Sequence, residues 1–101
     1  MTIRFECNGA VGALIIDRAE RRNAISLDMW RSIPALLEEA AGTSGLRVLT
    51  VRSAEEGSAF SAGADIREML DNAADADWRA ANQDAIFAAQ YQLTRFPFPT
   101  I

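Results

Sequence analysis

Residues 59–66, Ala-Phe-Ser-Ala-Gly-Ala-Asp-Ile, are the stretch of this sequence best suited to chemistry, and that chemistry would use the backbone. Gly63 permits backbone angles that other residues resist, and Asp65 is placed to cap a helix that starts at Ile66. Amides at a helix start lack intrahelical partners, so the Ala64 N–H could point into a cleft and bind an anion. That donor would be one half of an oxyanion hole. From these residues alone, however, a turn that only caps a helix is the simpler interpretation.

Side-chain chemistry is limited by what the 101 residues lack, since there is no histidine and Cys7 is the single cysteine. Ser-His-Asp triads, Cys-His pairs, His-based metal sites and thiolate metal sites are therefore excluded within this chain. Cys7 has no partner in the chain for a disulfide. Carboxylates, hydroxyls, arginines and backbone amides remain, because all ten basic residues are arginines.

The overall composition is that of a globular protein, with 50% hydrophobic residues, 24% charged residues and a formal net charge of -4. Its length allows one small domain. The acidic balance argues against a nucleic-acid partner, and the apolar runs are too short to span a membrane. The first residues lack the basic stretch and apolar core of a secretory signal. We therefore expect a cytoplasmic protein without nucleic-acid or membrane partners.

Three strands, three helices and the start of a fourth strand are predicted by the hydrophobic pattern, in the order β-β-α-β-α-α-(β). The turn Asn8-Gly9 joins the first two strands into a hairpin. Ser26 caps the first helix, and Pro34 should bend or split that helix because it removes one backbone hydrogen bond. The strands are expected over residues 3–7, 11–16 and 46–52, with a fourth beginning at residue 100. The helices are expected between Ser26 and Gly42, over residues 66–70 and over residues 77–95.

Several stretches of the sequence resemble the crotonase (enoyl-CoA hydratase/isomerase) family and occur in that family's order. Residues 17–26, Asp-Arg-Ala-Glu-Arg-Arg-Asn-Ala-Ile-Ser, resemble its Arg-Pro-x-x-x-Asn-Ala-Leu loop, with Ala19 where the family usually has proline. Residues 46–52 are similar to its next core strand, and residues 59–66 closely match its Ala-Phe-x-Ala-Gly-Ala-Asp-Ile segment. Residues 96–101, Phe-Pro-Phe-Pro-Thr-Ile, resemble the entry to the strand before the family's second glycine-rich loop.

The resemblance covers essentially the whole chain and implies an α/β fold, the N-terminal part of a crotonase-like β-β-α spiral. Residues 1–101 would be the N-terminal portion of one crotonase-like domain, truncated before the second oxyanion loop. We therefore expect the fold to be incomplete. The full-length parent is implied to be a homotrimer or a dimer of trimers.

The function implied by the resemblance is binding of acyl-CoA thioesters and stabilisation of a thioester enolate oxyanion by backbone N–H groups. Ala64 would provide the first of two such donors. Coenzyme A enters as part of the substrate, and no other cofactor and no metal are implied. Arg22 and Arg21 could meet CoA phosphates, although a solvated loop explains them equally well. Trp78 and Phe87 could line an acyl pocket, with helix packing as the alternative. The residues implied to contact substrate or CoA are Arg22, Ala24, Ala62, Asp65, Ile66 and Arg67.

Two functional hypotheses from different classes follow. In the first, the chain is the acyl-CoA-binding part of an enoyl-CoA hydratase or isomerase, a lyase or isomerase of fatty acid metabolism. In the second, it is catalytically inactive and serves at most as a weak acyl-CoA-binding or subunit-interaction module. No residue matches the family's two acid–base glutamates or its second oxyanion loop, so we expect the 101 residues alone to be inactive. Asn23 is expected to hold its own loop through side-chain to backbone bonds rather than to touch a ligand.

Overall fold

The computed structural model describes residues 2–57 and 59–101 of the chain. Three strands, β1 (Ile3–Asn8), β2 (Val11–Ile16) and β3 (Val48–Ser53), form one sheet in the order β1-β2-β3. β1 and β2 are antiparallel, whereas β2 and β3 are parallel. The helices are α1 (Leu27–Ala41), α2 (Ile66–Asp71) and α3 (Ala76–Thr94). The predicted order of elements is confirmed.

The hairpin between β1 and β2 forms at the predicted turn. Asn8 pairs with Val11, so the connection is two residues long, and Gly9 has a φ of 63°. Two-residue hairpin loops need such positive φ angles, which glycine adopts without steric cost. Parallel strands need a longer crossover, and α1 provides it between β2 and β3.

Helix α1 begins at the predicted cap and continues through Pro34. The Ser26 hydroxyl accepts a hydrogen bond from the Met29 N–H at 3.3 Å. The helix runs unbroken from Leu27 to Ala41, so the split that Pro34 could have caused does not occur. The buried face continues on both sides of the proline, with Ile33 before it and Leu37 after it, and this packing offsets the one lost hydrogen bond.

The hydrophobic core lies between one face of the sheet and the helices α1 and α3. α3 contributes small side chains, Ala85 and Ala89, which allow the close helix packing that its alanine content predicts. The core cluster consists of Ile3, Leu14, Ile16, Met29, Ile33, Leu37, Ala40, Leu46, Leu49 and Ala89.

The last residues of the chain add to the free edge of β3. Leu49 and Thr100 form a parallel bridge, and the Ile101 N–H donates to the Leu49 carbonyl at 2.9 Å. This isolated bridge lies where the sequence predicts the start of a fourth strand. Within residues 2–57 and 59–101, no helix is both long and apolar enough to cross a membrane.

Candidate functional site

Two loops meet at the ends of β2 and β3, and we call residues 17–26 the arginine loop and residues 59–65 the amide loop. The arginine loop turns back through a short 3-10 helix, Ala19–Arg21. Arg22 and Asn23 follow it with φ angles of 53° and 56°. Asparagine tolerates this left-handed conformation better than most residues, so Asn23 suits the reversal locally.

Asn23 joins the two loops through a buried side chain that is 1% exposed. Its Oδ1 accepts from the Arg18 N–H at 2.8 Å, which holds the arginine loop closed. Its Nδ2 donates to the Ala59 and Phe60 carbonyls at 3.2 and 2.9 Å and to Ser53 Oγ at 2.9 Å. The prediction that Asn23 holds its own loop is therefore confirmed. The structure adds that the same side chain holds the start of the amide loop.

A short parallel bridge between Ile25 and Ala64 fixes the end of the amide loop. The Ile25 N–H donates to the Gly63 carbonyl at 2.8 Å, and the Asp65 N–H donates to the Ile25 carbonyl at 3.2 Å. Ala64 lies between these two bonds, and in a parallel pairing the N–H of such a residue points away from the partner strand. The Ala64 N–H forms no hydrogen bond within the part of the chain that the structure describes. Gly63 enters the bridge with a φ of 90°, as the glycine at this position predicts.

Asp65 closes the amide loop and starts α2. Its Oδ1 accepts from the Glu68 N–H at 3.1 Å, so the predicted helix cap is confirmed. Its Oδ2 accepts from Arg18 Nη1 at 3.0 Å, and the carboxylate is 6% exposed. The pKa of Asp65 lies below its usual value, first because of the Glu68 N–H and then because of the Arg18 guanidinium. Burial acts in the opposite direction and is outweighed.

Arg18 and Glu68 are part of this site, although sequence reasoning did not single them out. Arg18 Nη1 also donates to the Ala24 carbonyl at 2.8 Å, so one guanidinium nitrogen contacts both loops. Glu68 Oε1 accepts from the Leu27 N–H at 2.8 Å and so ties α2 to the start of α1. Arg18 lies in residues 17–26, the loop that resembles the crotonase family. Its partner Asp65 is 47 residues away in the sequence, so no local pattern reveals the pair.

Comparison with known proteins identifies the family. Residues 11–99 match the family model described as enoyl-CoA hydratase/isomerase. The chain belongs to the enoyl-CoA hydratase/isomerase family. Over 99 residues it is 33% identical to YhaR of Bacillus subtilis (strain 168), a protein named for the same family. That alignment covers 98% of this chain and 37% of YhaR.

Solved structures show the same fold. A protein of Hyphomonas neptunium named for the enoyl-CoA hydratase/isomerase family matches with a TM-score of 0.90 and 31% identity. The match covers 99% of this chain and 38% of that one. An enoyl-CoA hydratase/carnitine racemase of Magnetospirillum magneticum matches with a TM-score of 0.87 and 28% identity, over 99% and 37% of the two chains. The fold is therefore the N-terminal portion of a crotonase fold. The chain spans less than two-fifths of the length of these relatives.

The backbone groups implied by the enoyl-CoA hydratase/isomerase resemblance are unequally available. The Ala62 N–H donates to the Arg22 carbonyl at 2.9 Å, and the Asp65 N–H is bound to Ile25. Ala24 is 8% exposed; its N–H donates to Arg21 and its carbonyl accepts from Arg18. Among the described residues, the Ala62 and Asp65 amides are therefore occupied, whereas the Ala64 N–H is open to a ligand that approaches the amide loop. Ala24 can offer such a ligand apolar contact alone.

The predicted CoA-contacting side chains lie on the surface around the amide loop. Arg22 is exposed, and Arg67 is exposed in the first turn of α2. Ile66 is 68% exposed, and a cavity of about 430 Å³ begins beside it, between α2 and α3. Trp78 lines this cavity, whereas Phe87 is 67% exposed and stacks on Tyr91 of its own helix. The residues lining the cavity are Ile66, Met69, Leu70, Ala73, Trp78, Arg79, Asn82 and Gln83.

Metal ligation has no counterpart in this site. Across the described ranges, 2–57 and 59–101, no three His, Cys, Asp or Glu side chains are grouped so that they could hold a metal ion. The carboxylate of Asp65 is already shared between Arg18 and the Glu68 N–H.

Proposed function

We propose that this chain is the acyl-CoA-binding part of an enoyl-CoA hydratase/isomerase-type enzyme, in which the Ala64 N–H donates to the thioester oxygen. When C2 of an acyl-CoA loses a proton, or C3 is attacked, negative charge collects on that oxygen. A fixed donor aimed at the charge stabilises it, and removal of a comparable donor costs roughly 3–4 kcal/mol. Full-length activity, a cytoplasmic location and assembly as a homotrimer or dimer of trimers belong to the same proposal.

The observation that carries the proposal is the orientation of the Ala64 amide. Its neighbours on either side are held by Ile25, through the Gly63 carbonyl and the Asp65 N–H. The Ala64 N–H itself has no acceptor in the described part of the chain. A donor that is held in place before the ligand arrives does not need to reorganise during the reaction, and this is what an oxyanion hole requires.

The surroundings of the Ala64 amide suit the rest of an acyl-CoA. The exposed guanidinium groups of Arg22 and Arg67 can pair with CoA phosphates, for which arginine has the matching geometry. The cavity beside Ile66 has mainly apolar walls, with Met69, Leu70 and Trp78 among its lining residues, and can receive an acyl chain. The catalytic acid and base, and the second oxyanion donor, have no candidate among these 101 residues.

The direct test observes the Ala64 amide in the full-length protein labelled with ¹⁵N-alanine. We expect its ¹H and ¹⁵N shifts to move strongly downfield when 3-oxobutanoyl-CoA binds, because the N–H then donates to the thioester oxygen. Free CoA should bind with a much smaller shift at Ala64. The Ala62 amide is the matched control, since its N–H is already bound to the Arg22 carbonyl at 2.9 Å.

The proposal is wrong if the protein saturated with 3-oxobutanoyl-CoA has the same Ala64 amide chemical shifts as the protein saturated with free CoA. It is also wrong if the full-length protein binds neither ligand at millimolar concentration. The 101 residues alone should give no turnover of an enoyl-CoA, because they contain no matched acid or base; measurable hydration by them would contradict that expectation.

A further inference from the structure

We propose that Arg18 is a positioning residue that sets the direction of the Ala64 N–H, an inference that rests on the proposed function. It does not touch Ala64, and it is not itself among the residues that the resemblance implies to contact substrate or CoA. It acts through the residues that flank the Ile25–Ala64 bridge. On one side it holds Ala24, which precedes Ile25, and on the other it holds Asp65, which follows Ala64.

The geometry of the Arg18 contacts makes the two loops one unit. A single nitrogen, Nη1, lies 2.8 Å from the Ala24 carbonyl and 3.0 Å from Asp65 Oδ2. The ion pair is shielded from solvent, with side-chain exposures of 14% for Arg18 and 6% for Asp65. Charge-assisted hydrogen bonds in such surroundings are stronger than exposed ones and hold their geometry more tightly.

The loss of Arg18 should change the direction of the amide without undoing the fold of the loops. Asp65 Oδ2 would lose its cation and, because it is buried, would move toward water. The Ala24 carbonyl would lose its Arg18 donor too, so the peptide that it shares with the Ile25 N–H would be freer to turn. That N–H holds the Gly63 carbonyl at 2.8 Å, and this carbonyl lies in the same planar peptide as the Ala64 N–H, so the direction of the Ala64 N–H would change with it. The start of the amide loop would stay in place, because Asn23 still binds the Phe60 carbonyl.

Lysine should rescue part of the function of Arg18. Both contacts come from the same nitrogen, so an ammonium group could reach the Ala24 carbonyl and Asp65 Oδ2 together. Its stem is more flexible than the guanidinium, and the direction of its bonds is less fixed. Arg18→Lys should therefore lie between the native protein and Arg18→Met, which keeps the apolar stem and removes the charge.

The test uses the full-length protein and 3-oxobutanoyl-CoA, whose enolate absorbs in the near ultraviolet. Deprotonation at C2 releases a proton to solvent and leaves the negative charge on oxygen, so the bound enolate fraction reports how well the amide is aimed. We expect Arg18→Met to lower the bound enolate-to-keto ratio at least tenfold at a fixed pH. The affinity of Arg18→Met for free CoA should stay within about threefold of the native value, since the substitution removes no CoA contact.

Two further variants test whether Arg18 acts through Asp65. Asp65→Asn keeps an oxygen for the Glu68 N–H but loses the charge that Arg18 binds, so it should lower the ratio by a similar factor. The double variant Arg18→Met/Asp65→Asn should be no worse than either single one, because residues that act as a pair are not additive. If Arg18→Met does not fold, the comparison of Arg18→Lys and Asp65→Asn with the native protein decides the question.

The outcomes separate this inference from the proposed function. Suppose that the native protein shows the enolate and that Arg18→Met, or both Arg18→Lys and Asp65→Asn, show the same enolate-to-keto ratio. That result would overturn the inference about Arg18, and the proposed role of the Ala64 N–H would stand. A native protein that binds 3-oxobutanoyl-CoA without any enolate would overturn the oxyanion donor, and the role of Arg18 with it. Equal losses of free CoA affinity and enolate ratio would show that Arg18 serves loop stability alone.

Discussion

Asn23 offers the sharpest test of how this site is held together, through the substitution Asn23→Ala. The buried amide has four hydrogen-bond partners: Oδ1 accepts from the Arg18 N–H, and the two hydrogens of Nδ2 are shared among acceptors at Ser53, Ala59 and Phe60. A typical bond contributes about 1 kcal/mol net, and leaving a partner such as the Phe60 carbonyl unpaired adds to the loss, so one accepted bond and two donor hydrogens amount to roughly 3–5 kcal/mol. The φ of 56° adds about 1 kcal/mol, because alanine accepts the left-handed region less readily than asparagine.

The expected destabilisation of Asn23→Ala is therefore about 4–6 kcal/mol, which is much of the stability of an ordinary domain. Urea unfolding followed by circular dichroism measures it. Asn72→Ala is the matched control, since Asn72 Nδ2 donates one bond, to the Glu68 carbonyl at 2.8 Å, and its loss should cost about 1 kcal/mol. Asn23→Asp keeps the acceptor for Arg18 but turns a carboxylate oxygen toward the Phe60 carbonyl, so it should also destabilise strongly at neutral pH.

Equal losses for Asn23→Ala and Asn72→Ala would refute this reasoning. They would mean that the two loops hold their positions without the buried amide. The backbone bonds between the loops, from the Ala62 N–H to Arg22 and from the Ile25 N–H to Gly63, would then be the main connection.

Two further predictions concern the amide loop. Gly63→Ala should cost about 1–2 kcal/mol in urea unfolding, because a Cβ there meets nothing within 4 Å yet the φ is 90°. Gly42→Ala is its control: with a φ of -86° it should be neutral or slightly stabilising, and an equal loss at both positions would contradict the conformational explanation. Asp65 has a lowered pKa in the folded chain, so its contribution is complete above the unfolded pKa of about 3.9 and is lost as pH falls through the folded value. The difference in unfolding free energy between the native protein and Asp65→Asn should be constant from about pH 7 to 5 and shrink below about pH 4; a difference that persists unchanged to about pH 2.5 would rule this out.

Much of the fold could be predicted because its signals are local. The turn at Gly9, the cap at Ser26 and the cap at Asp65 each depend on contacts within a few residues, and each is where the sequence places it. Pro34 shows the limit of local rules. Its ring should interrupt a helix, yet α1 continues because both halves bury the same apolar face against the sheet.

The sequence by itself determined which residues could serve as an amide donor and a helix cap, since Gly63, Ala64 and Asp65 carry those properties locally. The tertiary structure decided where the donor points. Asn23 and Phe60 are 37 residues apart, and Arg18 and Asp65 are 47 apart, so no local pattern shows that they meet. The bridge between Ile25 and Ala64 occupies the amide of Asp65 and turns that of Ala64 away from Ile25. The physical reason is that a backbone donor acts through its direction, and that direction is fixed here by residues far away in the chain.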